Sequence, residues 1–289
     1  MTLKVIAPGP LATIQDLGRP GLAHVGVAHS GAADRNSLRL ANRLVGNPES
    51  AAGIEATMGG IRLRAHIRTL ICVTGAHTTV TVDDTPVGMG TSLPVQAGSI
   101  LSVGAPRSGC RSYVAVRGGI VVPTVLGSRS TDTLSGLGPA PLRAGDVLPV
   151  GDPPAGWPPA TMAPIGTEHS PLVDLDTFAG PRRHHLHNPS DLYSGTWQVS
   201  AEADRIGVRL RRPKSSAAPH LTHRGDSAQL RSEGVAHGSV QIPPNGQPVI
   251  FLADHPVTGG YPVVAVLSAD ALCRAAQLVA GEAVRFRAR

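Results

Sequence analysis

Along most of the chain, apolar residues come in short runs rich in Val, Ile and Thr, and each run is closed by Gly, Pro, Asn or Asp. The segments IRTLICVTGA, TTVTVDD, SILSVGA, SYVAVRGGIVV, WQVS, RIGVRL, GSVQI, PVIFLA, PVVAVLS and AVRFRA read as strands, and their spacing predicts sandwiches or barrels rather than β-α-β units. Two stretches break that rhythm. In DRNSLRLANRLVGNP, Leu38, Ala41, Leu44 and Val45 recur at helical spacing, Asp34 is placed to cap the start, and Gly46, Asn47 and Pro48 close the end. SADALCRAAQLVAG reads as a second helix, capped by Ser268 and stopped at Gly281. The class is mainly β with a few short helices.

The pattern is interrupted by the Pro-rich VGDPPAGWPPATMAPIGTEHSP, which has no apolar period and reads as a semi-rigid connection. The expected organisation is a domain over 1–152 with a helix near 34–46, a linker over 153–171 and a second domain over 172–289. A short echo agrees with it: LRAGDVLPV and LVAGEAVRF, at the ends of the two halves, share Ala-Gly, one polar residue and a strand.

Composition narrows the function. Of 289 residues, 41% are hydrophobic but only 3% aromatic, so the core must be aliphatic and Tyr261 stands out. The net charge of +6 comes from arginines spread along the chain, with Lys4 and Lys214 as the only lysines, which disfavours a nucleic-acid face; the run RIGVRLRRPK reads as a solvated strand edge. Three separated cysteines, Cys72, Cys110 and Cys273, form neither a disulfide framework nor a zinc motif. No apolar stretch reaches the ~20 residues of a membrane span, and the expected location is the cytoplasm. P-loop, dinucleotide-fingerprint and GxSxG motifs are absent. His184, His185 and His187, with His220 and His223, read as solvated loop groups, and no metal site is expected.

Four polar segments remain. TIQDLGRPG sets Gln15, Asp16 and Arg19 around a glycine turn. In VAHSGAADRNSLRLAN, Ser30 and Asp34 precede a helix whose free N–H groups suit an anion, although simple capping explains the same residues. VLGSRSTDT gathers Ser128, Arg129, Ser130, Thr131 and Asp132, a set able to hold an anion or simply to be solvated. DHPVTGGYP joins two strands with Asp254, His255, Thr258, Gly259, Gly260 and Tyr261, more chemistry than a hairpin needs.

In this order, TIQDLGRPG, HSGAADRNSLRLANRLVGNPESAAGIEATMGG, SYVAVRGGIVVPTVLGSRSTD, QIPPNGQPVIFLADHPVTGGYPVVAVLSAD and AQLVAGEAVRF resemble the KipA family. Its members are described as the C component of 5-oxoprolinase, as allophanate hydrolase subunit 2, or as the A/B half of a biotin-dependent carboxyltransferase domain. The resemblance runs from about Thr13 to Phe286. It implies two cyclophilin-like β-barrel domains and a KipI-like B component as partner, with the site between the two proteins. In the oxoprolinase reading the 5-oxoprolinase A component joins, ATP is used by the complex, the lactam 5-oxoproline is opened to glutamate, and this chain is inactive alone. In the carboxyltransferase reading, carboxybiotin gives its carboxyl group to urea or a related amide. A third reading is a non-catalytic regulator that binds a KipI-like inhibitor. The matched positions imply Asp254, Arg129, Asp16 and Tyr261 as catalytic. They imply Gln15, Arg19, Ser30, Asp34, Ser128, Ser130, Asp132, Thr258, Gly259 and Gly260 as substrate-binding. Where the family carries an Arg-Gln-Thr-Thr-like run this chain has His255, Pro256 and Val257, so the resemblance lends His255 no role.

Overall fold

The computed structural model describes residues 1–165, 170–225 and 230–289. These form two compact units. The first comprises Met1–Arg19, Ser30–Asp132 and the described part of 136–168; the second comprises Pro20–His29, Thr133–Ser135 and the described part of 169–289.

The first unit is a curled nine-stranded sheet carrying one helix. Its strands are β1 (Thr2–Pro8), β2 (Leu11–Gln15), β3 (Gly53–Thr57), β4 (Ile61–Ala65), β5 (Thr69–Val82), β6 (Thr85–Val87), β7 (Leu93–Val95), β8 (Ile100–Val116) and β9 (Val147–Pro149). The main path runs β2-β3-β8-β4-β1-β9, with β5 on β8 and both β6 and β7 on β5. Alternation decides the faces: in β4, Ile61, Leu63 and Ala65 are buried while Arg62 and Arg64 face water. The inward set, with Leu3, Val5, Ile14, Ile54, Val73 and Val114, makes an aliphatic core. The helix α1 (Arg35–Leu44) buries Leu38, Ala41 and Leu44, and its far end packs on Cys72 and Ala115.

Runs that look separate in sequence are fused here. IRTLICVTGA and TTVTVDD form the single strand β5, while SILSVGA and the start of SYVAVRGG form β8. Shifts of register near Gly75, His77 and Thr78 bend the long pair, and this curls the sheet. SYVAVRGGIVV stops being a strand at Val116, because Gly118 and Gly119 turn the chain with positive φ. The Pro-rich stretch before residue 166 is bound to the first unit: Ala163 N–H donates to Gly90 O and Ser92 N–H to Thr161 O. Residues 166–169 of the predicted linker lie outside the described residues.

The second unit adds β10 (Leu172–Ala179), β11 (Trp197–Val199), β12 (Gly207–Arg211), β13 (Glu233–Gly234), β14 (Ser239–Gln241), β15 (Val249–Phe251), β16 (Thr258–Gly259), β17 (Val263–Leu267) and β18 (Ala283–Ala288), with α2 (Ala269–Ala275). Seven of these close a barrel in the order β10-β17-β14-β15-β12-β11-β18, sealed by the parallel pair β10 and β18. Its core holds Leu175, Trp197, Leu210, Ile250, Val284 and Phe286. The expected class, mainly β with β-barrel architecture and few helices, is what the chain adopts.

Two local expectations need correction. The RIGVRL strand is not an edge: β12 lies between β11 and β15 in the closed barrel, so only Arg209 and Arg211 face water. The second helix ends at Ala275, well before Gly281, because Gln277 and Leu278 donate to Arg274 O and Ala275 O in the tighter i→i−3 pattern. Among the described residues, no helix is long and apolar enough to cross a membrane.

Candidate functional site

In the first unit, β2 delivers Thr13 and Gln15 on its polar side and ends at Asp16. The Asp16 carboxylate is a hub for the 128–130 loop. Its Oδ1 accepts from Gly18 N–H (2.8 Å), Ser128 Oγ–H (2.6 Å) and Ser130 Oγ–H, and its Oδ2 accepts from Arg129 N–H (2.6 Å). The Asp16 N–H donates in turn to Ser130 Oγ at 3.0 Å. Arg19, 2% exposed, reaches the Ser130 carbonyl from Nη2 at 2.5 Å and the Val125 carbonyl from Nε at 3.4 Å. Gln15 Nε2 donates to Thr13 Oγ1 and Thr131 O, and Ser30 Oγ donates to the same Thr131 O. Gln15, Asp16, Arg19, Ser30, Ser128, Arg129 and Ser130 are therefore one cluster. Asp16 spends both oxygens on organising it, which is the work of a loop anchor rather than of a base. The Arg129 guanidinium turns to the Val122 carbonyl at 2.8 Å, and Asp132 is fully buried beside it in sequence, its N–H on Leu137 O.

The start of α1 decides between capping and anion binding. Asp34 Oδ1 accepts from Ser37 N–H (3.1 Å) and Oδ2 from Ser37 Oγ–H (2.6 Å). The preceding amides are occupied too: Ala32 N–H goes to Asp16 O, Ala33 N–H to Glu55 Oε2 and Asp34 N–H to Tyr113 Oη. The geometry here is that of a capped helix joined to a buried network. In that network the Tyr113 hydroxyl donates to Glu55 Oε2 at 2.8 Å, and Arg111 Nε stands 3.5 Å from Glu55 Oε1. Burial, followed by the Glu55 and Asp34 charges, holds the Tyr113 phenol well above its ordinary range.

The second unit contains the Asp254 site. Asp254 follows β15, is fully buried, and grips Arg205 in a forked ion pair, with Arg205 Nε 2.8 Å from Oδ2 and Nη2 3.0 Å from Oδ1. Thr133 adds its N–H at 2.9 Å and its hydroxyl at 2.7 Å, both to Oδ2. Burial alone would raise the carboxyl pKa, but the Arg205 charge and hydrogen bonds, with those from Thr133, outweigh it and hold the group below its ordinary value. The site thus carries a fixed negative charge matched by a fixed positive one. His255 is buried, its ring 5.8 Å from His237 and 5.9 Å from Phe251, and His237 in turn lies 6.5 Å from His29. Among the described residues, no group of three His, Cys, Asp or Glu side chains is arranged to hold a metal.

In the rest of DHPVTGGYP, Thr258 and Tyr261 are exposed and Pro256, Val257, Gly259 and Gly260 are half-buried. Thr258 and Gly259 form β16, paired with β13, whose Glu233 is clamped by Arg182 at 2.7 Å. Gln241 Nε2 donates to Tyr261 O, and Gly260 accepts from Leu230 N–H. Tyr261 is 38% exposed. A cleft of about 370 Å³, lined by Leu70, Pro94, Arg117 and the exposed Trp157 among others, contains none of the predicted site residues.

Sequence reasoning missed Arg205, Thr133, Glu55, Tyr113, His29 and His237. Arg205 could have been noticed, since it is an arginine just ahead of the alternating strand GVRLR; Glu55 and Tyr113 meet only through the β3-β8 pairing.

The model of the family "Carboxyltransferase domain, subdomain A and B" matches residues 25–288. The 5-oxoprolinase C component of Escherichia coli K12 is 35% identical over 290 residues, covering 98% of this chain and 90% of that protein. The protein of the same name from Haemophilus influenzae is 36% identical, over 96% of this chain and 88% of its own length. The crystal structure of the K. lactis urea amidolyase superposes with a TM-score of 0.88 at 32% identity, covering 99% of this chain but only 18% of that larger one. With the family model spanning most of its length and relatives of this identity aligned nearly end to end, the chain belongs to the carboxyltransferase A/B domain family.

Proposed function

We propose that this chain is the C component of an ATP-dependent 5-oxoprolinase, working with a KipI-like B component and the A component to hydrolyse the lactam of 5-oxoproline to glutamate. The observation that carries this reading is the alignment with two proteins named as 5-oxoprolinase C components over 90% and 88% of their own lengths, whereas the urea amidolyase match covers a minor part of a larger chain. A carboxyltransferase half acting on urea or a related amide is the second reading, favoured by the family description and by the urea amidolyase superposition.

The residues fit a role in binding and positioning. Asp16 in the first unit and Asp254 in the second act as anchors whose oxygens are committed to donors, so each fixes its own loop rather than relaying protons. In the second unit, the Thr258–Tyr261 run supplies hydroxyls and close backbone approach for a small polar amide. These loops carry no phosphate-cradling glycine motif, and the two lysines, Lys4 and Lys214, lie outside them. ATP accordingly belongs to the complex. The test is to purify the chain with its B and A partners and assay ATP-dependent glutamate release from 5-oxoproline alongside carboxybiotin-dependent urea carboxylation. Glutamate release supports the reading; urea carboxylation alone sinks it.

A further inference from the structure

In the second unit, the Thr258–Tyr261 run lies on a ribbon too small to hold itself. Strands β13 and β16 have two residues each and form a sheet of their own, with Gly259 opposite Glu233 and Thr258 opposite Gly234. An isolated two-stranded ribbon is marginal in water, and two glycines among four residues leave this one few side chains to pack. Two backbone bonds flank the pairs, Val235 N–H to Val257 O at 2.9 Å and Leu230 N–H to Gly260 O at 2.7 Å. Side chains tie the ribbon to the barrel. Gln241 of β14, 3% exposed, donates from Nε2 to Tyr261 O at 3.0 Å, and a Cβ on Gly259 would stand 2.8 Å from the same nitrogen. Arg182 supplies a second tie: its Nε lies 3.1 Å and its Nη2 2.7 Å from Glu233 Oε2, and Nε reaches Oε1 at 3.3 Å. Arg182 is itself held to the barrel, because Gly180 N–H donates to Val264 O and Arg182 N–H to Val263 O, both at 2.9 Å. That close approach needs glycine, since a Cβ at Gly180 would stand 2.5 Å from Val263 O. One arginine therefore holds β17, which leaves the run, through its backbone, and β13, which faces the run, through its side chain.

We infer that Arg182 and Glu233 are positioning residues for the Thr258–Tyr261 run: their forked ion pair latches the β13–β16 ribbon to the turn after β10 and so fixes the exposed Thr258 and Tyr261 side chains for a ligand. Both act through the ribbon and not on the reacting atoms. A planar guanidinium holding both carboxylate oxygens sets orientation as well as distance, which a single hydrogen bond does not. With the latch cut, the ribbon keeps its backbone pairs and Gln241, so it loosens locally while the barrel stays folded. The loss falls on binding before chemistry, because the run must then be ordered each time a ligand arrives, and that cost is read in KM. The inference deepens the oxoprolinase reading and rests on it for the role of the run in holding the amide.

The test uses the chain in complex with its B and A partners and compares Glu233→Gln, Arg182→Gln and the double variant, with circular dichroism establishing that each is folded. The two side chains are 41% and 26% exposed, so the fork is worth about a three- to fivefold effect. Each single variant raises KM for 5-oxoproline by about that factor with little change in kcat, and speeds hydrogen exchange at the Leu230 and Val235 amides to a similar extent. The double variant matches the singles and does not multiply them, because both residues act through one contact. Arg182→Lys, which keeps the charge but loses the fork, falls between the native protein and Arg182→Gln. Exchange unchanged in both single variants overturns the latch. Faster exchange with KM unmoved, or effects on KM that multiply in the double variant, overturns the positioning role. If the native complex releases no glutamate while exchange responds and the double variant matches the singles, the oxoprolinase reading falls and the latch stands, its positioning role then read from KM for urea in the carboxylation assay.

Discussion

The Arg205–Asp254 pair gives the most decisive stability prediction. Arg205→Met removes the cation but leaves the Asp254 carboxylate at 0% exposure, with the Thr133 amide and hydroxyl among its remaining donors. Stripping one partner from a buried, forked ion pair costs about 3–5 kcal/mol. For a domain the size of the second unit that lowers the melting temperature by roughly 10–20 °C, read by calorimetry as a shift of one transition. The sign with pH follows from the depressed pKa of Asp254. In the native protein its contribution is complete above the unfolded carboxyl pKa of ~3.9 and is lost as pH falls through the lower folded value. In Arg205→Met the burial contribution is no longer outweighed, so the carboxyl pKa moves up and protonation relieves the defect. The gap in melting temperature between the two proteins therefore narrows on acidification. Arg205→Met combined with Asp254→Leu recovers most of the loss, since a well-packed apolar pair replaces the ion pair at little net change. A single variant that melts within about 1 °C of the native protein at neutral pH, as an exposed ion pair would allow, refutes the anchoring role.

Tyr113→Phe deprives the Asp34 amide and Glu55 of a shared buried partner and lowers stability by about 1–3 kcal/mol in denaturant unfolding, while the native protein's alkaline difference spectrum shows one tyrosine that does not ionise in the ordinary range. Gly138→Ala forces a Cβ against the Ser130 carbonyl at a φ of 85°, so it lowers the melting temperature and perturbs the 128–130 loop, detected as loss of amide protection there by hydrogen exchange. Burial pushes the Cys72 thiol up to about 12, so this cysteine resists thiol reagents at pH ~8 until the protein is unfolded, as mass mapping of labelled sites will show.

The sequence displayed what is local. Asp34 and Ser268 cap the helices as their positions predict, because a cap needs only residues within one turn. Strand runs were visible, but their fusion into β5 and β8 was not: a bulge leaves the alternation imperfect, and the polar residues at its centre look like a turn. The Asp16 and Asp254 segments stood out by composition. Their partners did not, since Ser128 and Ser130 reach Asp16 across 112 and 114 positions and Arg205 reaches Asp254 across 49. The helix start at Ser30–Asp34 carried two readings that spacing could not separate; the decisive groups, Glu55 and Tyr113, are brought there by sheet pairing. His255, unsupported by the resemblance, is buried against His237 and Phe251.

The most direct test of the proposed function mixes this chain with its B and A partners, supplies 5-oxoproline and ATP, and measures glutamate. The expected result is glutamate formed in step with ATP hydrolysis, requiring this chain and lost when it is omitted. Glutamate formed equally well without this chain, or urea carboxylation with no glutamate at all, contradicts it.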